Sequence, residues 1–182
     1  YIYTKNRGSI GNKTYSVPYI EVDNPRKIMS KISSNFYHNV SDKMTIIGVT
    51  GTNGKTSICQ IISHILNECN NKNCTIGTLG VVNQYGILNT NFTTPESNEI
   101  HHYLNTMVNN NINNAILEVS SHSLDLNRVD DIQFNVGIFS NLSPEHLDFH
   151  INIDSYFQSK LKLFKKLKSN NSSIINIDDN YS

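Results

Sequence analysis

The sequence predicts an α/β fold with a mostly parallel sheet, flanking helices and a phosphate-binding loop, preceded by the tail of a small α/β domain. Three observations predict it. Short apolar strand-like runs alternate with segments of helical periodicity from residue 44 onward, the pattern of parallel βαβ units. A glycine-rich turn, Gly51-Thr52-Asn53-Gly54, stands between the first such strand and an amphipathic segment. Polar residues follow the strand-like runs in turn, where open parallel sheets place their ligands.

The elements read in order as follows. Residues 1–23 hold short strand-like pieces around Gly8, Gly11 and Pro18. Pro25 suits a first helical position, and residues 25–37 then form a helix with Ile28, Met29, Ile32 and Phe36 on one face. Asn39 to Asp42 is a connector, with the domain boundary between residues 41 and 42. Met44 to Val49 is a buried strand, and Ile58, Ile61, Ile62, Ile65 and Leu66 fall at helical spacing. Thr75 to Val82 is strand-like. Thr94 serves as N-cap and Pro95 as first residue of a helix with Ile100, Leu104, Met107 and Val108 inward, leaving His101 and His102 on its solvated face. Ala115 to Val119 and Asn135 to Phe139 are strands, residues 154–168 a helix, and Ile174 to Ile177 a last strand.

The turn carries the strongest chemical signal. Gly51 and Gly54 let backbone N–H groups face a phosphate without Cβ interference. The helix that follows adds its positive end. Lys55 would reach the β- and γ-phosphates and the Thr56 hydroxyl would ligate magnesium, with Thr52, Asn53 and Ser57 completing the cradle. Val49 stands where the strict phosphate-loop pattern has glycine.

Behind the other strands come Glu118 with Ser120-Ser121-His122, then Asn141 with Glu145-His146-Leu147-Asp148, then Asn176 with Asp178-Asp179. Glu118 is the natural magnesium ligand, directly or through water. His146 reads either as a second metal ligand or as a hydrogen-bonded surface histidine. Thr93 and Thr94 either cap a helix or grip a polar substrate group. Lys160 sits in the middle of an apolar stripe of Tyr156, Phe157, Leu163, Phe164 and Leu167, while Lys162, Lys165, Lys166 and Lys168 lie on its margin or on the polar face. An ammonium there must pair, snorkel or lose its charge.

Composition narrows the partners. Lysine plus arginine and aspartate plus glutamate each number 15, so a nucleic-acid binder held by phosphate neutralisation is not expected. No apolar run reaches the roughly 20 residues of a membrane span, and no signal peptide is read. Three cysteines without a CxxC pair are expected to be reduced thiols of a cytoplasmic protein.

The ordered set Gly51-Thr52-Asn53-Gly54-Lys55-Thr56, Thr93-Thr94-Pro95, Glu118-Val119-Ser120-Ser121-His122, Asn141-Leu142, His146-Leu147-Asp148 and Lys160 with Leu163-Phe164 resembles the Mur ligases. Within them it is closest to the branch that adds the third residue of the peptidoglycan stem peptide. The resemblance implies a three-domain enzyme. Residues 1–41 would be the end of the N-terminal UDP-muramoyl-binding domain and 42–182 the first part of the central ATPase domain, with the C-terminal domain outside this chain. It implies ATP and magnesium as cofactors. It also implies small-molecule substrates: a UDP-N-acetylmuramoyl dipeptide, an amino acid and ATP. A monomer is expected. Lys55, Glu118, His146 and Lys160 would be catalytic, and Thr56, Glu118, His146 and Lys160 would hold metal. Lys160 matches the lysine that carbon dioxide carbamylates, so that the site wants an anion there. Thr93, Thr94, Ser120 and Arg128 match positions that touch the UDP-muramoyl substrate.

The chain departs from the family pattern in places. Phe92 and Leu126 stand where some members carry asparagine and glutamine, and Ser143-Pro144-Glu145 replaces a commoner triplet before the histidine. Asp23-Asn24-Pro25-Arg26 spells a diaminopimelate-recognition motif in the wrong domain and is not read as specificity. The alternatives are another amide ligase of the superfamily, of folylpolyglutamate or cyanophycin synthetase type, and a nucleotide-binding module without ligase activity.

Overall fold

The structure, a computed structural model, describes residues 2–4 and 20–181. The strand-like pieces expected around Gly8, Gly11 and Pro18 lie outside the described residues. Two short strands, β1 (Ile2–Thr4) and β2 (Ile20–Val22), pair in parallel.

Helix α1 (Pro25–Phe36) starts where expected, with Pro25 in its first turn and the Asn24 side chain accepting from Lys27 N at 3.1 Å. Its buried face is not the one expected. Ser30, Ser33 and Ser34 are buried, whereas Ile32 and Phe36 are exposed. The small serines let the helix lie close to the body, and their hydroxyls serve the loops beneath. The Asp131 N–H donates to Ser30 Oγ at 3.2 Å, and Ser34 Oγ donates to Asn39 Oδ1 at 3.0 Å. A short 3-10 turn (Val40–Lys43) then leads into the sheet.

The main sheet has seven strands. They are β3 (Thr45–Thr50), β4 (Asn73–Gly77), β5 (Gly80–Asn83), β6 (Gly86–Leu88), β7 (Asn114–Glu118), β8 (Val136–Phe139) and β9 (Ser172–Ile175). Their order across the sheet is β6-β5-β4-β7-β3-β8-β9; β5 runs antiparallel to both of its neighbours, β4 and β6, and every other adjacent pair is parallel. The expected single strand over Thr75 to Val82 is instead a hairpin, which turns at Thr78-Leu79. The pattern misleads because both arms are apolar and two residues suffice to reverse the chain. The register aligns Val49 with Glu118 and Thr50 with Phe139. The residues that follow β3, β4, β7 and β8 therefore meet at one edge.

The helices are α2 (Lys55–Glu68), α3 (Ser97–Asn109), α4 (Ser121–Asp125), α5 (Leu147–His150) and α6 (Ile153–Lys165). On α2, Cys59 is buried and Ile58, Ile62 and Leu66 pack on the sheet, but Ile61 and Ile65 are exposed, so the inward stripe is narrower than expected. Helix α3 starts later than expected. Glu96, not Thr94, caps it, in a reciprocal box with Glu99. Ile100, Leu104 and Met107 point into the main core, with Val108 packed against it. His101, expected in solvent, is fully buried. No helix among the described residues is long and apolar enough to cross a membrane. The three cysteines are free, Cys59 and Cys74 buried and Cys69 exposed.

Candidate active site

The glycine turn sits directly beyond central strand β3. Gly51 has φ 147° and Gly54 φ 85°, the region that glycine enters without steric cost. Gly54 caps α2 without a side chain, and a Cβ built on it would meet nothing within 4 Å, so the turn is open at that point. The first N–H groups of α2 have no intrahelical partner and form an anion-binding end. The segment after β8 braces the turn from behind. Thr52 N donates to Asn141 O at 2.9 Å, Asn53 N to Asn141 Oδ1 at 2.9 Å, and Ser140 Oγ to Asn53 O at 2.7 Å. The rim residues after β9 brace that segment in turn, with Leu142 N donating to Asp179 Oδ2 at 2.8 Å.

Lys55, Thr56 and Glu118 meet here. The Lys55 ammonium is folded onto the turn, donating to Gly51 O at 3.0 Å and Thr52 O at 2.9 Å. Burial lowers its pKa, while the Glu118 carboxylate opposes that shift. Thr56 Oγ1 donates to Glu118 Oε2 at 2.9 Å. Glu118 is buried at the end of β7 and also accepts from Thr78 N at 2.9 Å and Thr78 Oγ1 at 3.1 Å. Its side chain occupies the space over Gly77, where any Cβ would collide with its carboxylate. With Thr52, Asn53, Gly54, Ser57 and Thr93, these groups line a cleft of about 300 Å³.

A second group sits beside it. Thr94 is buried; its hydroxyl donates to Glu118 O at 2.7 Å and lies 3.2 Å from Ser120 Oγ. Ser120 caps α4 through Ser123 N. Arg128 donates to Thr94 O at 2.9 Å, pairs with Glu96 at 3.0 Å and lies 4.5 Å from the centre of the Phe92 ring. Glu96 also pairs with Arg26 of α1 at 2.7 Å.

Lys160 is 2% exposed, so it does not snorkel. Its ammonium donates to Gly51 O at 2.8 Å and lies 4.2 Å from the centre of the Tyr156 ring. It therefore shares an acceptor with Lys55. Burial, and next the Lys55 charge, push its pKa down to about 7. His146 meets other histidine and tyrosine rings. It has a left-handed backbone at φ 55°, its ring lies 4.9 Å from the His122 ring and 6.2 Å from the Tyr156 ring, and Glu145 is 3.8 Å away. His150 is buried, 2.8 Å from Ser121 Oγ and 3.4 Å from Asp125.

Among the described residues, no three histidine, cysteine, aspartate or glutamate side chains converge as a metal cage. The oxygens that do converge, from Thr56 and Glu118, suit a hard cation that takes few protein ligands and completes its shell with phosphate and water. Sequence reading missed Thr78, Gly77 and Glu96. Breaking the apolar run at Gly77 would have put Thr78 on the rim by the same strand-end rule that found Glu118.

The family model of the Mur ligase middle domain matches residues 49–182. The UDP-N-acetylmuramoyl-L-alanyl-D-glutamate–2,6-diaminopimelate ligase of Caldanaerobacter subterraneus subsp. tengcongensis is 45% identical over 166 residues, covering 91% of this chain and 34% of the relative. The protein of that name from Clostridioides difficile is 47% identical over 161 residues, covering 88% and 33%. This chain thus spans about a third of the length of these relatives. A solved structure of a ligase of that name superposes with a TM-score of 0.74 at 27% identity, covering 88% of this chain and 33% of that one. A MurF ligase from Thermotoga maritima in complex with ADP shares the fold, with a TM-score of 0.59 at 19% identity, covering 91% and 35%. The glycine turn, the carboxylate that faces it and the sheet that brings them together are those of a chain that belongs to the Mur ligase family, with its middle domain over residues 49–182.

Proposed function

We propose that this chain carries the ATP- and magnesium-binding centre of a ligase that extends UDP-N-acetylmuramoyl-L-alanyl-D-glutamate by one amino acid in cytoplasmic peptidoglycan synthesis. The observation that carries the proposal is Lys55, Thr56 and Glu118 meeting at the open glycine turn. The names of the relatives favour diaminopimelate as the incoming amino acid. Residues 1–41 would close the N-terminal UDP-muramoyl-binding domain and residues 42–182 open the ATPase domain of a monomeric enzyme.

A free carboxylate oxygen of the dipeptide attacks the γ-phosphorus of ATP, and ADP leaves. The amine of the incoming amino acid then attacks the acyl-phosphate carbon, releasing phosphate and a proton. Lys55 exchanges its two loop carbonyls for β- and γ-phosphate oxygens. The amides of the turn and of the start of α2 hold the phosphates in place. Magnesium, held through Thr56 and Glu118 with His146 and a carbamylated Lys160 placing a second ion, would supply charge neutralisation at the transferred phosphoryl group. Thr93, Thr94, Ser120 and Arg128 would hold the UDP-muramoyl substrate beside the cleft. Arg128, braced by Glu96 and Phe92, is the natural partner for a substrate anion.

The test is made on the full-length gene product. ATP turnover should require both the muramoyl dipeptide and the amino acid. Lys55→Ala should weaken Mg-ATP binding in calorimetry by on the order of 2–3 kcal/mol, the scale of a charge-assisted contact. Unchanged binding in that variant would overturn the assignment of the loop.

A further inference from the structure

We infer that Tyr156 is a positioning residue for the phosphate centre: its hydroxyl fixes the glycine turn, and its ring face packs against Lys160 in the uncarbamylated form. The inference rests on the reading of the turn as the ATP site. Tyr156 is 1% exposed and lies on α6, one helical turn before Lys160.

Proton counting sets the direction of its hydrogen bond. The Thr52 hydroxyl has one proton to give and accepts through two lone pairs. It donates to Ser143 O at 3.2 Å and accepts from Ser143 N at 3.0 Å. With the Thr52 proton on Ser143 O, the Tyr156 hydroxyl, 3.3 Å from Thr52 Oγ1, is the donor. The same side chain offers its ring to the Lys160 ammonium at 4.2 Å, while that ammonium holds Gly51 O at 2.8 Å. Residues 51 and 52 also supply both carbonyls that hold Lys55. One buried phenol thus touches the turn through its oxygen and the second lysine through its face. A residue that merely filled this space would need no hydroxyl.

That difference gives the experiment. Mg-ATP affinity is measured by calorimetry, and thermal unfolding is followed in parallel, on the full-length gene product carrying Tyr156→Phe, Tyr156→Leu or Lys55→Ala. Tyr156→Phe keeps the ring and its packing but loses the donor. It should weaken Mg-ATP about 3- to 10-fold, the scale of one neutral hydrogen bond, and raise the KM for ATP with kcat nearly unchanged. Tyr156→Leu also removes the seat of Lys160 and should lower kcat as well. A purely structural role would move the unfolding temperature of Tyr156→Phe without this split between KM and kcat. If Lys55→Ala loses affinity while Tyr156→Phe keeps wild-type affinity and KM, the Tyr156 inference is overturned and the loop reading stands. If the wild-type protein does not bind Mg-ATP, or Lys55→Ala does not weaken its binding, both fall.

Discussion

At the scale of single residues the candidate centre is a matter of what burial does to charge. Lys160 is an ammonium with 2% exposure beside a second lysine, and both circumstances disfavour its charged form. A neutral amine reacts with carbon dioxide, and a carbamate formed on Lys160 would reverse the sign of the charge under Gly51. Lys160→Ala in the full-length enzyme should therefore nearly abolish turnover, and added acetate or formate should restore part of it by filling the vacated anion position. Lys162→Ala, which removes an exposed contact with Asp125, should cost no more than about 1 kcal/mol of stability and little activity. Near-normal turnover of Lys160→Ala would remove the carbamate role. Gly77 makes a complementary case, because the Glu118 side chain fills the space that a Cβ would take. Gly77→Ala should push the carboxylate away from Thr56 and raise the magnesium concentration at which turnover is half-maximal. An unaltered magnesium dependence would show that the Thr56–Glu118 pair is not the cation site.

At the scale of elements, the start of α3 concentrates several constraints in one carboxylate. Glu96 caps the helix, accepts Arg26 from α1 and holds Arg128. Glu96→Ala removes a cap worth about 1 kcal/mol and leaves the buried Arg128 without its anion. Loss of about 2–3 kcal/mol in urea unfolding is expected, together with a raised KM for the muramoyl substrate through Arg128. A loss below about 0.5 kcal/mol would show that the arginines find other partners. None of this was legible in the sequence, where Thr94-Pro95 looked the better cap. Thr94 instead turns inward to bond Glu118 O, because the buried carbonyl at the end of β7 needs a donor. Legibility followed the same divide throughout. Strand and helix alternation, the glycine turn and Glu118 were readable because each rests on local chain chemistry. The inward serine face of α1 and the hairpin at Thr78 were not, because tertiary packing decides them. Apolar periodicity points to Ile32 and Phe36, yet the positions that α1 buries are serines.

At the scale of the whole molecule, the response to acid runs through buried imidazoles. His101 lies on α3 with 0% exposure and no hydrogen-bond partner on either ring nitrogen. Burial pushes its pKa down to about 4, opposed by Asp131, whereas in the unfolded chain it titrates near 6.5. As the pH falls, the unfolded chain takes up the proton first. The stabilising contribution of neutral His101 is thus complete above about pH 6.5 and is lost progressively down to about pH 4. The window spans about 2.5 pH units and corresponds to on the order of 3 kcal/mol at the acid end. His150, also buried and shifted down, adds loss of the same sign. Carboxylates change the slope in the same pH range, so the informative quantity is a difference between proteins. His101→Leu replaces the imidazole with a side chain of similar bulk that takes up no proton. Urea midpoints at pH 7 and pH 4.5 should lie closer together in that variant than in the wild type, by the equivalent of about 2 kcal/mol or more. An identical pH dependence in the two proteins would mean that His101 is protonated or solvated in the native state.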